Sequence, residues 1–541
     1  MEIIYLLAIL LLLASFSNRI IHKRRISLIV EKIQLILLGV LFVLQTKNLI
    51  TLINKKPIIL TPLDGLIDSK FLIENISFYL DPLSLCMSSL IALLGAVIFQ
   101  YSRTYLEGEK NRENFLSNLV LTVLSAQLLV LSGSLVLFAI AWILLGLLLH
   151  KLLLHYHQRP RAQLAARKKF IISRIGDTFL IVAIILFYKI FETISFEGLY
   201  IASNNNLSGT QAQFLPWALL AILLASMCKS AQLPFHSWLP DTLEAPTPVS
   251  AIMHAGIING GGFIIIRLFP LFNHAPTIMT VMAVVGLFTA VLGLIVMWGQ
   301  TTLKKRLAWS TVSQMGFMFL ECGMGAYSLA VIHMIAHGFY KAHAFLNSGT
   351  PAQFLYKRQS ETYHPLESVI LIVQPVIIMI VISFIASQIW DTPFMESWSG
   401  GILGYCITIL ALSLLIIRDK KFSIKSILTK FCLLIVTFCT VLILKSGSDL
   451  ILQTSMFQSA INLEQRGLAG TLVVYFAVFI ITLLTIFSLS RNHQKIIPIQ
   501  EKLITHAING FYLGLYADRL TRLVWPVLKP KKNSEWSGQY E

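Results

Sequence analysis

His333-Met334-Ile335-Ala336-His337-Gly338-Phe339-Tyr340-Lys341 places two imidazoles and an ammonium at i, i+4 and i+8. On a helix these positions share one face and span about 12 Å along the axis. The surrounding stretch, Ala326 to Gly349, is otherwise apolar and long enough to cross a bilayer. Ionisable groups are costly at that depth and commonly line an ion or proton path. The stretch therefore reads as a transmembrane helix with a titratable stripe.

Its neighbours repeat the apolar pattern. Runs of spanning length fall near 2–21, 28–50, 78–101, 115–133, 134–155, 170–191, 213–233, 246–271, 278–299, 308–324, 326–347, 367–390, 400–417, 429–446 and 469–490. At about 20 residues per span, these make roughly fifteen helices. Of the 541 residues, 56% are hydrophobic and 13% charged, unlike a soluble globular domain. The runs are continuous rather than alternating, which excludes a β-barrel. The expected fold is an all-α polytopic membrane protein. Residues 1–490 form its transmembrane domain and 491–541 a basic cytoplasmic tail. That tail carries a short apolar patch from Phe511 to Leu520, suited to lie on a membrane or dock a partner. Glu2 stands where a signal peptide would be basic, so the first span is expected to be retained.

The net charge of +17 invites a nucleic-acid reading, but its distribution argues against one. Basic clusters sit between spans: Arg19 with Lys23, Arg24 and Arg25; Arg159, Arg161, Arg167, Lys168 and Lys169; Lys304, Lys305 and Arg306; and Arg418 to Lys430. Each follows an odd-numbered span. The positive-inside rule puts these loops in the cytoplasm, with the N-terminus outside and the C-terminus inside. The loop 234–245 departs from this, carrying Asp241 and Glu244 and no Lys or Arg. Six cysteines show no CxxC spacing and read as small buried hydrophobes. No phosphate-binding GxxxxGK[ST] is present, and no dinucleotide fingerprint follows a strand. Transport driven by the chain's own ATP hydrolysis has no support, and no cofactor is expected in this chain.

Lys229 closes an apolar span just before Pro234-Phe235-His236-Ser237-Trp238-Leu239-Pro240. Two prolines so close interrupt a helix, and interrupted helices at membrane depth often mark transport sites. Lys229 is read as a buried proton carrier, the alternative being a side chain that snorkels to the interface. A second break is expected at Gly260-Gly261-Gly262. His254 is either a relay or a satisfied core histidine. His333 and His337 have HxxxH spacing, but the zinc-peptidase glutamate is replaced by Met334 and no third ligand stands out. No metal site is therefore assigned. His343 is offset from the stripe and packs or caps a loop. Lys304 and Lys305 open the next span, as interfacial charges or with one dipping inward. Glu244 and Glu321 are the acids read as able to counter the lysines.

Lys229-Ser230-Ala231-Gln232-Leu233-Pro234-Phe235-His236-Ser237-Trp238-Leu239-Pro240-Asp241, with Pro246-Thr247-Pro248-Val249-Ser250-Ala251, resembles the signature of the antiporter-like proton-translocating subunits. These belong to respiratory complex I and to Mrp-type cation/proton antiporters. Leu307-Ala308-Trp309-Ser310-Thr311 and the His333/His337/Lys341 helix fit the same pattern. The resemblance covers about 170–350. It implies a discontinuous seventh span and a pathway through Lys229, His254, Lys304, His333, His337 and Lys341. Two features depart from it. Ile143 follows Trp142 where the family has a glutamate partner for the buried lysine, and 367–390 carries no charge beyond Glu367 at its edge. His150 and His155 are candidates to deliver protons in place of the missing acid.

Glu244-Ala245-Pro246-Thr247-Pro248, His254 through Gly262 and Tyr340 through Leu346 are similar to one branch, the membrane subunits of DAB-type inorganic-carbon accumulators. So is Arg159-Pro160-Arg161-Ala162 before Lys168-Lys169-Phe170. That resemblance implies a non-enzymatic subunit in a bacterial inner membrane that conducts protons or sodium ions. It also implies a large cytoplasmic partner, similar to a β-carbonic anhydrase and holding zinc, that hydrates CO2 to bicarbonate. The rival readings are a proton-pumping subunit of an NADH-quinone oxidoreductase, an Mrp-type antiporter subunit, or a non-conducting scaffold.

Overall fold

The computed structural model describes residues 2–349, apart from 21–23, 54, 63, 65–68, 205–206 and 208, together with 447–452 and 505–525. Eleven spans were expected up to residue 347, and each coincides with a helix or a broken pair of helices. These are α1 (Glu2–Ile20), α2 (Arg24–Leu52), α4 (Pro82–Tyr105), α5 (Arg112–Leu131), α6 (Leu135–Leu153) and α7 (Pro160–Phe191). They continue with α9 (Thr210–Lys229), α11 (Thr247–Ala255) with α12 (Gly260–Arg267), α14 (Pro276–Gly299), α15 (Leu303–Gly323) and α16 (Tyr327–Leu346). Short elements link them: β1 (Ile58–Leu60), α3 (Lys70–Asn75), β2 (Phe78–Leu80), α8 (Phe196–Ser203), α10 (Trp238–Asp241) and α13 (Phe269–Phe272). The four remaining expected spans, 367–390, 400–417, 429–446 and 469–490, lie outside the described residues, as do Cys406, Cys432 and Cys439. Among the described residues, eight helices are long and apolar enough to cross a membrane. Helices α15 and α16 are of similar length but carry the ionisable groups discussed below.

Local chemistry sets the helix limits. Asp81 caps α4 by accepting from the Ser84 N–H at 3.0 Å, and Pro82 fills the first turn, where a missing N–H costs nothing. Ser134 caps α6 in the same way through Leu137 N. Helix α9 stops at Lys229, with Ala231 at φ 50° and Pro234 beyond it. The freed polar groups find partners. Ser230 Oγ donates to Ile258 O at 2.6 Å, Leu233 N to Thr289 Oγ1 at 3.1 Å and Trp238 Nε1 to Cys228 O at 3.2 Å. The bond from Ser230 ties the break after α9 to the break between α11 and α12. That second break falls at Gly256–Asn259, not at the three glycines expected to make it. Gly260, Gly261 and Gly262 instead form the first turn of α12, where small residues allow close packing. A Cβ on Gly261 would stand 2.7 Å from Ser226 O. A similar approach joins α14 to α15: Cβ atoms on Gly286 and Gly293 would stand 2.5 Å and 2.7 Å from the backbone nitrogens of Leu320 and Ser313.

The loops sort into two ends. At one, His155 meets Glu109 at 2.8 Å, Arg159 meets Glu244 at 3.9 Å, and Glu31 is held by Arg103 and Arg112. Lys304, Lys305, Arg161 and Arg167 gather here too, making this the basic end. At the other, β1 pairs antiparallel with β2, Gly133 N donates to Ser77 O at 2.7 Å, and His274 Nε2 lies 2.8 Å from Ser203 O. Both sets of contacts follow from the alternating up-and-down course expected of the spans.

A C-terminal helix, α17 (Leu513–Val524), packs against α7 at the basic end. Gln300 Nε2 donates to Ala507 O and Ile508 O, both at 3.4 Å, just before it. Lys168, 1% exposed, bridges Asp241 beside the α9 break to Asp518 on α17. Asp518→Asn should weaken that hold by about 1 kcal/mol, and amide exchange over 513–524 should then run roughly fivefold faster. Unchanged exchange would show that the ion pair does not hold the helix.

Candidate functional site

Lys229 Nζ reaches across to α6, donates to Trp142 O at 3.3 Å and stands 4.3 Å from the Trp142 ring centroid. A helix carbonyl has a second lone pair after serving its own turn, so α6 accepts this bond without breaking. The π face adds a cation–π attraction. Lys169 on α7 makes the equivalent bond one turn further along α6, to Gly146 O at 2.6 Å. Asp177 on α7 pairs with Arg174 Nη2 at 2.8 Å and lies within electrostatic reach of both Lys229 and Lys169. Among the described residues, Asp177 is therefore the carboxylate within electrostatic reach of Lys229. Neither acid anticipated for the lysines does this. Glu244 sits in a loop beside Arg159, and Glu321 lies in another cluster.

That other cluster is built on α11, α15 and α16. Lys341, fully buried, donates to Leu307 O at 3.0 Å and to Ser310 Oγ. Thr311 Oγ1 donates to the same Leu307 carbonyl at 3.0 Å and lies 3.1 Å from His254 Nδ1. With the Thr311 proton on Leu307, a His254 tautomer carrying its proton on Nδ1 completes the Thr311 contact. His254 is fully buried and stacks on Phe345 at 4.4 Å between centroids. His337 is an electrostatic neighbour of Lys341, His254 and His333. The His333 and His337 ring centroids are 6.1 Å apart, and His333 Nδ1 lies 2.9 Å from buried Glu321. Five buried polar atoms here have no hydrogen-bond partner among the described residues: His254 Nε2, His333 Nε2, both nitrogens of His337 and Glu321 Oε1.

The structure thus gathers His254, His333, His337 and Lys341, with Glu321, into one network. It puts Lys229 in a second one with Lys169, Arg174 and Asp177. Lys304 belongs to neither; its Nζ donates to Thr247 Oγ1 at 3.0 Å at the basic end. His343 lies beside Asn347. No group of three metal-binding side chains converges among the described residues. Of the two histidines considered near the missing acid, His155 is engaged with Glu109 in a loop, whereas His150 lies 3.1 Å from Ala166 O on α7. Tyr156 also donates to Glu109, and burial with that bond pushes its phenol above the ordinary range.

Sequence reasoning missed Lys169, Arg174 and Asp177. Lys168 and Lys169 had been assigned to a basic loop ahead of a span at 170–191. The helix instead begins at Pro160 and carries both side chains into the protein, 1% and 4% exposed. Arg174 and Asp177 at i, i+3 inside that span were the available signal.

Residues 132–416 match the family model described as NADH:quinone oxidoreductase/Mrp antiporter, TM, and residues 70–116 match that of the N-terminus of complex I chain 5. The "Probable inorganic carbon transporter subunit DabB" of Hydrogenovibrio crunogenus is 33% identical over 83% of this chain and 85% of its own length. The chain belongs to the DabB branch of this antiporter-like family. The DabB1 protein of Halothiobacillus neapolitanus is 42% identical over 54% of this chain, and the matched part is 53% of that relative. Outside the DabB branch, the chloroplastic NAD(P)H-quinone oxidoreductase subunit 5 of Physcomitrium patens is 39% identical over 51% of this chain and 39% of its own length. The fold is also that of a chain in the Mrp complex from Dietzia sp. DQ12-45-1b, with a TM-score of 0.56 at 19% identity, covering 97% of this chain and 57% of that one.

Proposed function

We propose that this DabB-type subunit conducts protons, or sodium ions, through its two networks of buried and half-buried Lys and His, and that the flow energises inorganic-carbon uptake. The observation that carries the reading is the pair of broken spans tied together by Ser230 and Ile258, with Lys229 at one break and His254 leading into the other. Proton-bearing side chains sit where the helices are interrupted, as an ion path through a bilayer requires. The unpartnered nitrogens of His254, His333 and His337 fit a hydrated route, because such atoms are satisfied by water. In this reading the basic end faces the cytoplasm of a bacterial inner membrane, with the N-terminus outside and the tail inside. A zinc-holding, carbonic-anhydrase-like partner docks there and carries out CO2 hydration, while this chain does no catalysis. The driving force is the transmembrane gradient, worth about 2.3 kcal/mol per charge per 100 mV.

A second reading, a subunit of a quinone oxidoreductase or an Mrp-type antiporter, is favoured by the chloroplastic relatives. Ile143, standing where the resemblance expects an acid, weighs against it. Two measurements separate them. Purification of the full chain from its native membrane should bring down one large soluble zinc protein; a row of respiratory membrane subunits would favour the second reading. Lys341→Ala should abolish growth at low inorganic carbon while the complex still forms. Normal growth of that variant would leave the subunit a scaffold.

A further inference from the structure

Helix α6 carries a ladder that the sequence does not advertise. Trp142, Gly146 and His150 stand at i, i+4 and i+8, about 6 Å per step on one face. Lys229 is bonded to the first carbonyl and Lys169 to the second. His150, half-buried, rests on α7 through Ala166 O, one turn before Lys169. Beyond it lie Phe170, 5.0 Å between centroids, and Trp525 of the tail, 6.4 Å away, at the basic end.

Gly146 makes the middle rung possible. A Cβ there would stand 3.4 Å from Arg174 Nη2 and 3.7 Å from Lys169 Nζ, so a longer side chain would occupy the space the two cations share. Lys169 is 4% exposed, and the side chains around it are Lys229, Arg174, Asp177 and His150. Three cationic groups therefore share one carboxylate in a poorly polarisable setting. A proton on one lysine raises the cost of a proton on the other. The two lysines are thus bonded to carbonyls one turn apart on α6.

We propose that Lys169 is a proton relay, and that His150 and Lys169 form the access branch from the basic end to Lys229. This rests on the conduction reading above. The proton moves from the His150 imidazolium to neutral Lys169, then from the Lys169 ammonium to neutral Lys229, each donor returning to its neutral form.

The test uses everted membrane vesicles containing the full complex, with an imposed pH gradient and a fluorescent pH probe. Lys169→Arg keeps the cation and a donor for Gly146 O but does not release its proton; Lys169→Met keeps the volume alone. Both should slow proton flux roughly 10- to 100-fold, with partner co-purification unchanged. Lys169→His restores a titratable group and should recover flux toward lower pH. If either Arg or Met conducts like the parent while Lys229→Ala is dead, Lys169 only packs and the relay is wrong. Loss of flux in all three variants, with no recovery in Lys169→His at any pH, also overturns it. If Lys229→Ala conducts like the parent, the conduction reading itself fails first.

Discussion

Lys229→Ala should eliminate cation flux and, on the proposed function, growth at low inorganic carbon, with membrane insertion and complex assembly retained. The side chain contributes an ammonium that is bonded to the Trp142 carbonyl, lies over the Trp142 ring and is within electrostatic reach of Asp177. Removing a positioned proton carrier typically costs about 100-fold or more in rate. Lys229→Arg should be nearly as inactive, since a guanidinium holds the charge but does not release its proton at any accessible pH. Asp177→Asn should give an intermediate loss, because Arg174 and Lys169 remain and the carboxylate that balances them is gone. Flux from an imposed gradient in vesicles, measured beside a count of assembled complexes, checks all three. Parental flux in Lys229→Ala would sink the transport assignment outright.

How much of this was legible beforehand depends on what hydropathy can sense. Each of the eleven expected spans up to residue 347 coincides with a helix or a broken pair because an apolar run is what hydropathy senses, although α7 begins ten residues before the expected 170. The break after Lys229 was legible because proline has a fixed local effect. The break at Gly256 was misplaced by four residues because glycine signals close packing as readily as a bend. At Gly261 and Gly262 the missing side chains admit Ser230 and Met318. The His333–Lys341 stripe was visible since one helix carries it all. The Lys229 network was only half visible: Asp177 and Lys169 come from a different helix, and the charge at 168–169 resembles any interfacial cluster. Only the observed start of α7 at Pro160 shows that these lysines point inward. Charge signs along a chain do not reveal which helix faces which, and that pairing decides what Lys229 meets.

Arg267→Ala should be among the most destabilising single substitutions in the described residues, at about 3–5 kcal/mol. Arg267 ends α12, and Asp81 caps α4 at the end opposite the basic one. Both side chains are fully buried, joined by bonds of 2.6 Å and 3.1 Å, with Ser84 Oγ accepting a third. The rings of Tyr79, Phe196 and Phe263 lie 5.2 Å, 5.5 Å and 5.4 Å from the guanidinium. Tyr200 OH donates to the Arg267 carbonyl at 2.8 Å, so α8 is tied to the same residue. Removing the guanidinium leaves the Asp81 carboxylate unpaired in a dry site and opens a void among three aromatic rings. Asp81→Asn keeps a helix cap, since asparagine caps about as well as aspartate. It should still cost stability by leaving Arg267 unpaired. The double variant Asp81→Asn with Arg267→Met restores neutrality and volume and should recover much of the loss. Thermal midpoints of detergent-purified protein should therefore rank parent, then double variant, then either single variant. A double variant no better than the singles would mean that the pair's role lies in hydrogen-bond geometry rather than charge balance. An Arg267→Ala midpoint equal to the parent's would mean that the clasp does not hold α4 to α12. Lys229→Ala should leave the same midpoint unmoved, which separates the residues that move the ion from those that hold the frame around it.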